Sequence, residues 1–404
     1  MTTFARGWSE TWRRIVTDPG ARLLLIAAPV LYSLFYPLPY LREIVRETPV
    51  AIVDLDRSSL SRQLVRYADA HETLRVAVRL DSVVAAESAV KAGRVRGYLV
   101  VPAHFRADVL RGRDAAVAYG GDATYFLQFK QVLTGFAESV GTLNAAVKAR
   151  QALAGGQSRE QARTAVAPVA LRAHPVGNTR EGYASYLIPG VFLLILQQTL
   201  VFGVGLLRGT AHESGPAALT VKPAGVMGAG AALVALYAAH AAFHLGAAAW
   251  IYDLPTHGHP GRLALFFAPF ILACVVFALA LSGLCARRES SIHLFLVTSI
   301  PFLFLAGASW PFEMIPAPLQ WLARLLPSTA GIQGVLRLNS LGASWPDVAA
   351  WWWLLWLQIA LFAWPAWRSW RRFRPPGRHP DNLPSSCNGA SAMISAVPPP
   401  DESY

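Results

Sequence analysis

Charge is what this chain of 404 residues has little of: Asp, Glu, Lys and Arg together make up 15%. Soluble domains carry roughly a quarter. With 54% hydrophobic residues, that deficit excludes an ordinary water-soluble globule, because much of the surface needs a solvent other than water. Cysteine is scarce too. Cys274 and Cys285 lie in or at the end of an apolar run, and Cys387 sits in the C-terminal tail. That placement excludes a disulfide framework, and the spacing fits no zinc ribbon. No G-x-x-x-x-G-K-[ST] occurs, so the chain lacks the phosphate cradle that nucleotide hydrolysis needs. No G-x-S-x-G supports a serine nucleophile. The first apolar run begins near Leu23, too deep and too long for a cleavable leader, and no small-residue cleavage site follows.

What is there is basic and oily. The net charge is +12, and the basic residues cluster beside apolar runs. No soluble stretch carries a basic stripe with interleaved aromatics, so the partner implied is a lipid bilayer and not a nucleic acid. Spanning the hydrocarbon core as a helix takes about twenty apolar residues. Six runs free of Asp, Glu, Lys and Arg qualify: 23–41, 185–207, 226–251, 263–284, 292–309 and 348–367. In lipid each must be helical, since every backbone polar group has to be satisfied inside the segment. Basic residues set the orientation. Arg6, Arg13, Arg14 and Arg22 precede the first run; Arg208 and Lys222 lie between the second and third; Arg287 and Arg288 separate the fourth and fifth; Arg368, Arg371, Arg372 and Arg374 follow the last. With six spans all four groups fall on one side. The expected fold class is therefore a polytopic α-helical membrane protein, multi-pass in the inner membrane of a bacterium, with both termini cytoplasmic.

The expected organisation is an interfacial amphipathic helix within 1–22, with Trp8, Trp12 and Ile15 on one face and Arg13 and Arg14 on another. A plain cytoplasmic helix is the alternative. The first span (23–41) leads into an extracytoplasmic α/β domain over 42–183. There, strands at 50–54, 74–80, 98–101 and 115–119 alternate with helices at 58–70, 82–93 and 105–110, which implies a small sheet. From 125 to 154 the pattern turns helical until Gly155-Gly156. Residues 184–367 hold the other five spans, with external re-entrant helices over 310–345. The tail 368–404 begins basic and then becomes rich in Pro, Ser and Asn, a composition that favours disorder.

Two stretches resemble the ABC type-2 permease family. One is Val50-Ala-Ile-Val-Asp-Leu-Asp-Arg-Ser-Ser59, placed after a single span. The other runs through Phe304-Leu-Ala-Gly307, Trp310-Pro311-Phe, Ile315-Pro316-x-Pro318-Leu-Gln-Trp321, Leu326-Pro327, Gly334-Val-Leu-Arg337 and Gly342. The resemblance marks Gly307, Pro311, Pro316, Pro327, Gly334 and Arg337 as the late signature. It implies a six-span half-transporter that pairs with a second copy or a paralogue. Each half docks a separate ABC ATPase subunit, which binds the ATP and Mg; no cofactor sits on this chain, which is itself no enzyme. It also implies a coupling loop from Arg208 through His212 and Glu213 to Lys222, where a solvated loop is the plainer reading. The expected function is the permease of an exporter. Spans without charge point to a hydrophobic or amphiphilic, drug- or lipid-like cargo. A periplasmic adaptor is a further candidate partner.

Other residues carry competing readings. Asp54 and Asp56 have the D-x-D form of a metal pair, but they end a strand just before a helix cap, which favours a turn. His240 and His244 share a helix face, yet H-E-x-x-H is absent, so pore-facing or interhelical hydrogen bonding is preferred to a metal. His257, His259 and Asp253 read as an ordinary loop. Gln197 and Gln198 sit mid-span, where amides seek partners, so at least one should face the helix core. Glu313 is expected near the outer headgroup level. Two rival functions follow: a membrane-anchored sensor or scaffold using the α/β domain as a receptor, and a membrane enzyme using Asp54/Asp56 or His240/His244.

Overall fold

The computed structural model describes residues 2–41, 46–166, 178, 182–213, 223–254 and 256–371. The expected disordered stretch of the tail, with Cys387, lies outside them.

Helix α1 (Thr3–Thr17) begins at Thr2, whose hydroxyl accepts the Ala5 N–H at 3.3 Å. Its buried face is Gly7, Thr11 and Ile15, spaced four apart as one helical stripe. Trp8 and Trp12 are only half-buried. Asp18 then starts α2 (Pro19–Tyr40): its carboxylate accepts the N–H groups of Gly20 at 2.8 Å and Ala21 at 3.1 Å, with Pro19 at the first helical position. An acidic cap followed by proline is a strong helix start. A π-turn, Leu23–Ala27, interrupts α2.

A sheet domain follows in sequence. Its elements are β1 (Thr48–Asp54), α3 (Ser59–Asp69), β2 (Leu74–Leu80), α4 (Val83–Lys91), β3 (Gly97–Val101), α5 (Phe105–Leu110), β4 (Ala118–Gly121), α6 (Phe126–Ala154) and α7 (Arg159–Val166). The strand order is β2-β1-β3-β4. β1 lies parallel to β2 and β3, and β4 closes the edge antiparallel to β3. Ser58 and Ser82 cap α3 and α4 through their hydroxyls. One face of the sheet packs Val50, Ile52 and Leu99 against Leu64 of α3 and Val132 and Phe136 of α6. The fourth strand lies two to three residues beyond its expected place at 115–119. Glycine is a poor strand former, which hid Gly120 and Gly121. A Cβ on Gly120 would stand 2.4 Å from the Tyr98 ring, so this edge needs glycine.

The rest is a helix bundle: α8 (Tyr183–Glu213), α9 (Pro223–Ile251), α10 (Pro260–Leu284), α11 (Arg288–Leu305), α12 (Ala317–Ala323), α13 (Pro327–Val335) and α14 (Trp345–Arg371). Among the described residues five helices are long and apolar enough to cross a membrane: α2, α8, α9, α10 and α14. The run expected at 292–309 forms α11, which is only 18 residues long and carries Arg288 and Glu289 in its first turn. α8 is the axis of the bundle, with 83% of its apolar stretch buried, against 17% for α14. α14 instead exposes Trp353, Leu357, Leu361 and Trp364, as a lipid-facing helix does. α1 lies across the start of α9 with the two backbones touching: a Cβ on Gly7 would come 2.2 Å from Gly225 O, and one on Gly228 2.1 Å from Phe4 O. Small residues permit that approach.

Candidate functional site

Three sets of residues converge in the bundle. The first is its polar core. Gln197 and Gln198 of α8 are both buried. Gln197 Oε1 accepts the Ser328 N–H at 2.6 Å, so an amide of the central helix satisfies a free donor in the first turn of α13. Gln198 Nε2 donates to Ser299 Oγ of α11 at 3.4 Å. Thr199 Oγ1 and the Tyr237 hydroxyl, 3.0 Å apart, tie α8 to α9.

His240 and His244 do not converge on one ligand. His240 Nε2 donates to Leu25 O at 2.9 Å, across to the π-turn of α2. His244 Nδ1 donates to His240 O at 2.7 Å. His244 itself sits on a second π-turn, Phe243–Ala248. Such turns loosen the regular ladder and recur at functional sites. Among the described residues no three His, Cys, Asp or Glu side chains gather into a metal-binding group. Asp54 builds a turn, accepting the N–H groups of Asp56 and Arg57 and the Ser61 hydroxyl, and Asp56 accepts the Arg106 N–H in the first turn of α5.

The second set is the late segment between α11 and α14. Gly307 has φ +76°, a left-handed conformation glycine alone adopts readily, and a Cβ there would meet Gln333 Nε2 at 2.6 Å. Pro311 precedes a short 3-10 turn, Pro316 precedes α12 and Pro327 opens α13. Every residue of α13 is buried. Its Gly334 lies against Phe266 of α10, where a Cβ would be 1.9 Å from the ring. A third π-turn, Leu336–Ser340, continues α13. Arg337 pairs with the exposed Glu313 at 3.3 Å, and its guanidinium lies 5.5 Å from the Trp351 ring, an edge-of-bundle ion pair backed by a cation–π contact.

The third set joins four helix ends. Arg288, first residue of α11, grips Asp18 with both terminal nitrogens at 2.8 and 2.9 Å. It also donates to Thr210 Oγ1 at 2.9 Å. Glu213, last residue of α8, accepts the Arg288 N–H at 2.9 Å. Arg208 donates to Ser369 O near the end of α14 at 2.7 Å, with its guanidinium 5.8 Å from the Trp370 ring. Burial pushes the Asp18 carboxyl up, but the hydrogen bonds from Arg288 and from the Ala21 and Gly20 amides outweigh it and hold the group below its usual value.

The expected coupling loop is corrected at its start. α8 continues to Glu213, and Arg208 is 5% exposed inside it, so its guanidinium is turned to α14 and not to solvent. The cause is the intimate packing of that turn: a Cβ on Gly209 would stand 2.5 Å from Arg287 O. His212 is half-buried, Glu213 is exposed, and Lys222 lies outside the described residues. Sequence reasoning missed Asp18, Thr210 and Ser369. Only Asp18 left a signal, the acid-proline helix start.

No curated relative matches the chain. The family model described as ABC-2 family transporter protein matches residues 22–368, from the first apolar helix through the sheet domain and the late segment to the last helix. Since that match takes in all but the two ends of a 404-residue sequence, the chain belongs to the ABC-2 family of transporter proteins.

Proposed function

We propose that the chain is the membrane-spanning permease subunit of an ABC exporter, driven by a separate ATPase subunit and moving a hydrophobic or amphiphilic substrate outward. The observation that carries this reading is the meeting of four helix ends at Asp18, Arg208, Glu213 and Arg288. The start of α2, the end of α8, the start of α11 and the end of α14 lie together there, and all are flanked by arginines. That meeting supports a six-crossing reading, with α11 as the fifth crossing and this end in the cytoplasm. At the opposite ends of α2 and α8, Tyr40 and Tyr183 pack with ring centroids 5.5 Å apart, at the root of the sheet domain, which the same topology puts outside.

In this reading His212 and Glu213 meet the ATPase. Glu213 caps α11, so a push on it moves the start of α11 and, through the Arg288–Asp18 pair, the start of α2. Arg208 links the same turn to the end of α14. The buried Gln197 of α8 holds the late segment in register while these helices shift. A second copy or a paralogue completes the transporter.

The test is co-expression with the cognate ATPase subunit in vesicles. ATP turnover should rise with amphiphilic substrates, and a His212→Ala/Glu213→Ala double variant should lose about tenfold of that stimulation, the scale of one or two charge-assisted contacts. Failure of the wild-type chain to bind an ATPase subunit, or turnover indifferent to the double variant, would sink the reading.

A further inference from the structure

The late segment carries a cation that the described residues leave without a counter-charge. Arg324 is the C-cap of α12 and is half-buried. Among the described residues no carboxylate forms an ion pair with it, and the acid of this segment, Glu313, is held by Arg337 at 3.3 Å. What faces the Arg324 guanidinium is aromatic: the Trp321 ring at 4.6 Å and the Phe312 ring at 5.9 Å.

Its depth follows from α14, which is long and apolar enough to cross a bilayer. Gln358 donates to the Arg324 carbonyl at 2.7 Å, and Gln358 is the middle residue of the 27 in α14. The backbone of Arg324 therefore stands at the half-height of a crossing helix. Phe312 packs on Trp351 with ring centroids 5.5 Å apart. At 1.5 Å per residue α14 is about 40 Å long, and Trp351 lies about 9 Å from its start. A hydrocarbon core of about 30 Å centred on that helix begins about 5 Å in. Both reference levels are inside it. A cation there is costly unless it is paired.

The surface around Arg324 is apolar. Leu319, Trp321, Leu322 and Leu325 are all exposed, in a patch that calls for a covering. A second copy covers it poorly. Across a two-fold axis the same face meets itself, which brings another arginine and no carboxylate beyond the engaged Glu313. A lipid brings both things the face lacks, an anion and acyl chains.

We propose that this face binds one anionic phospholipid, with its phosphate on Arg324 and its acyl chains along Leu322 and Leu325. Guanidinium and phosphate match as a two-pronged hydrogen-bonded pair. The ester carbonyls of the same lipid accept further N–H groups, and the Trp321 ring supports the cation from the side. Phosphatidylcholine carries the same phosphate but adds a cation that Arg324 repels, so net negative charge is what the site selects. The site goes beyond the export reading and stands whether or not the chain moves the lipid, so the experiment measures binding alone.

The full chain in detergent is mixed with equal amounts of dimyristoyl phosphatidylglycerol and dimyristoyl phosphatidylcholine, and native mass spectrometry identifies the lipid retained. The wild type should keep phosphatidylglycerol about tenfold over phosphatidylcholine, the scale of one hydrogen-bonded charge pair. Arg324→Gln should bring that ratio close to one. Arg6→Gln, which removes an equal charge from the exposed face of α1, should leave it unchanged. Equal retention of the two lipids by the wild type, or retention of neither, overturns the proposal, and those readings need no variant to fold. A preference that survives Arg324→Gln, or that falls equally in both variants, overturns it as well. So does a wild-type dimer that shows no lipid preference and that Arg324→Gln breaks, which would give the face to a second copy.

Discussion

At the residue scale the ion pair of Asp18 and Arg288 makes the sharpest claim. Asp18 does two jobs with one carboxylate: it caps α2 and receives both arms of Arg288. Arg288 is more than a third exposed while Asp18 is mostly covered, so solvent screens part of the attraction. A double-mutant cycle of Asp18→Asn and Arg288→Gln should return a coupling of about 1 kcal/mol in detergent-purified protein. The pH dependence has a definite sign. The folded carboxyl titrates below its ordinary value, so its stabilisation is full above about pH 4, the unfolded carboxylate range, and is lost as pH falls through the lower folded value. Melting temperature should therefore drop more steeply on acidification in the wild type than in Asp18→Asn. Parallel curves for the two proteins would contradict the assignment.

At the element scale the late segment is governed by glycine. α13 is buried along its whole length because Gly334 lets it lie against Phe266. Gly334→Ala forces a methyl into the ring, and overpacking of this kind costs about 1–3 kcal/mol. Adding Phe266→Leu should recover part of that loss, which thermal unfolding of the single and double variants would reveal; no recovery would place the damage elsewhere. Gly307 differs in cause. Its φ of +76° penalises any side chain by about 1–3 kcal/mol, so Gly307→Ala should destabilise and Phe266→Leu should not relieve it. The same contrast explains what was readable. Proline and glycine in 307–342 announced breaks between short helices, and short helices are there. That α13 would be more deeply buried than most of the membrane-spanning helices was not announced, since its composition is unremarkable and only its neighbours enclose it.

At the scale of the whole molecule the decisive quantity is sidedness. In a chain whose Cys274, Cys285 and Cys387 are replaced, a cysteine at Tyr98 should react with a membrane-impermeant maleimide from outside the cell, and a cysteine at Glu213 should react only after permeabilisation. Labelling of both from one side would dismantle the six-crossing arrangement. The sequence by itself determined the solvent, the apolar runs and the alternation of the sheet domain, because period and hydropathy are local properties that need no partner. It fell short at β4, where Gly120, packed on Tyr98, and Gly121 look like loop, and at Arg208, where a basic residue read as loop is held inside α8. Only the tertiary structure decided that Asp18 and Glu213 meet at Arg288, that Ser369 meets Arg208, and that His244 and Asn339 line one cavity. Each of those groupings joins side chains far apart in the chain, and their closeness depends on how helices pack, which no single segment encodes.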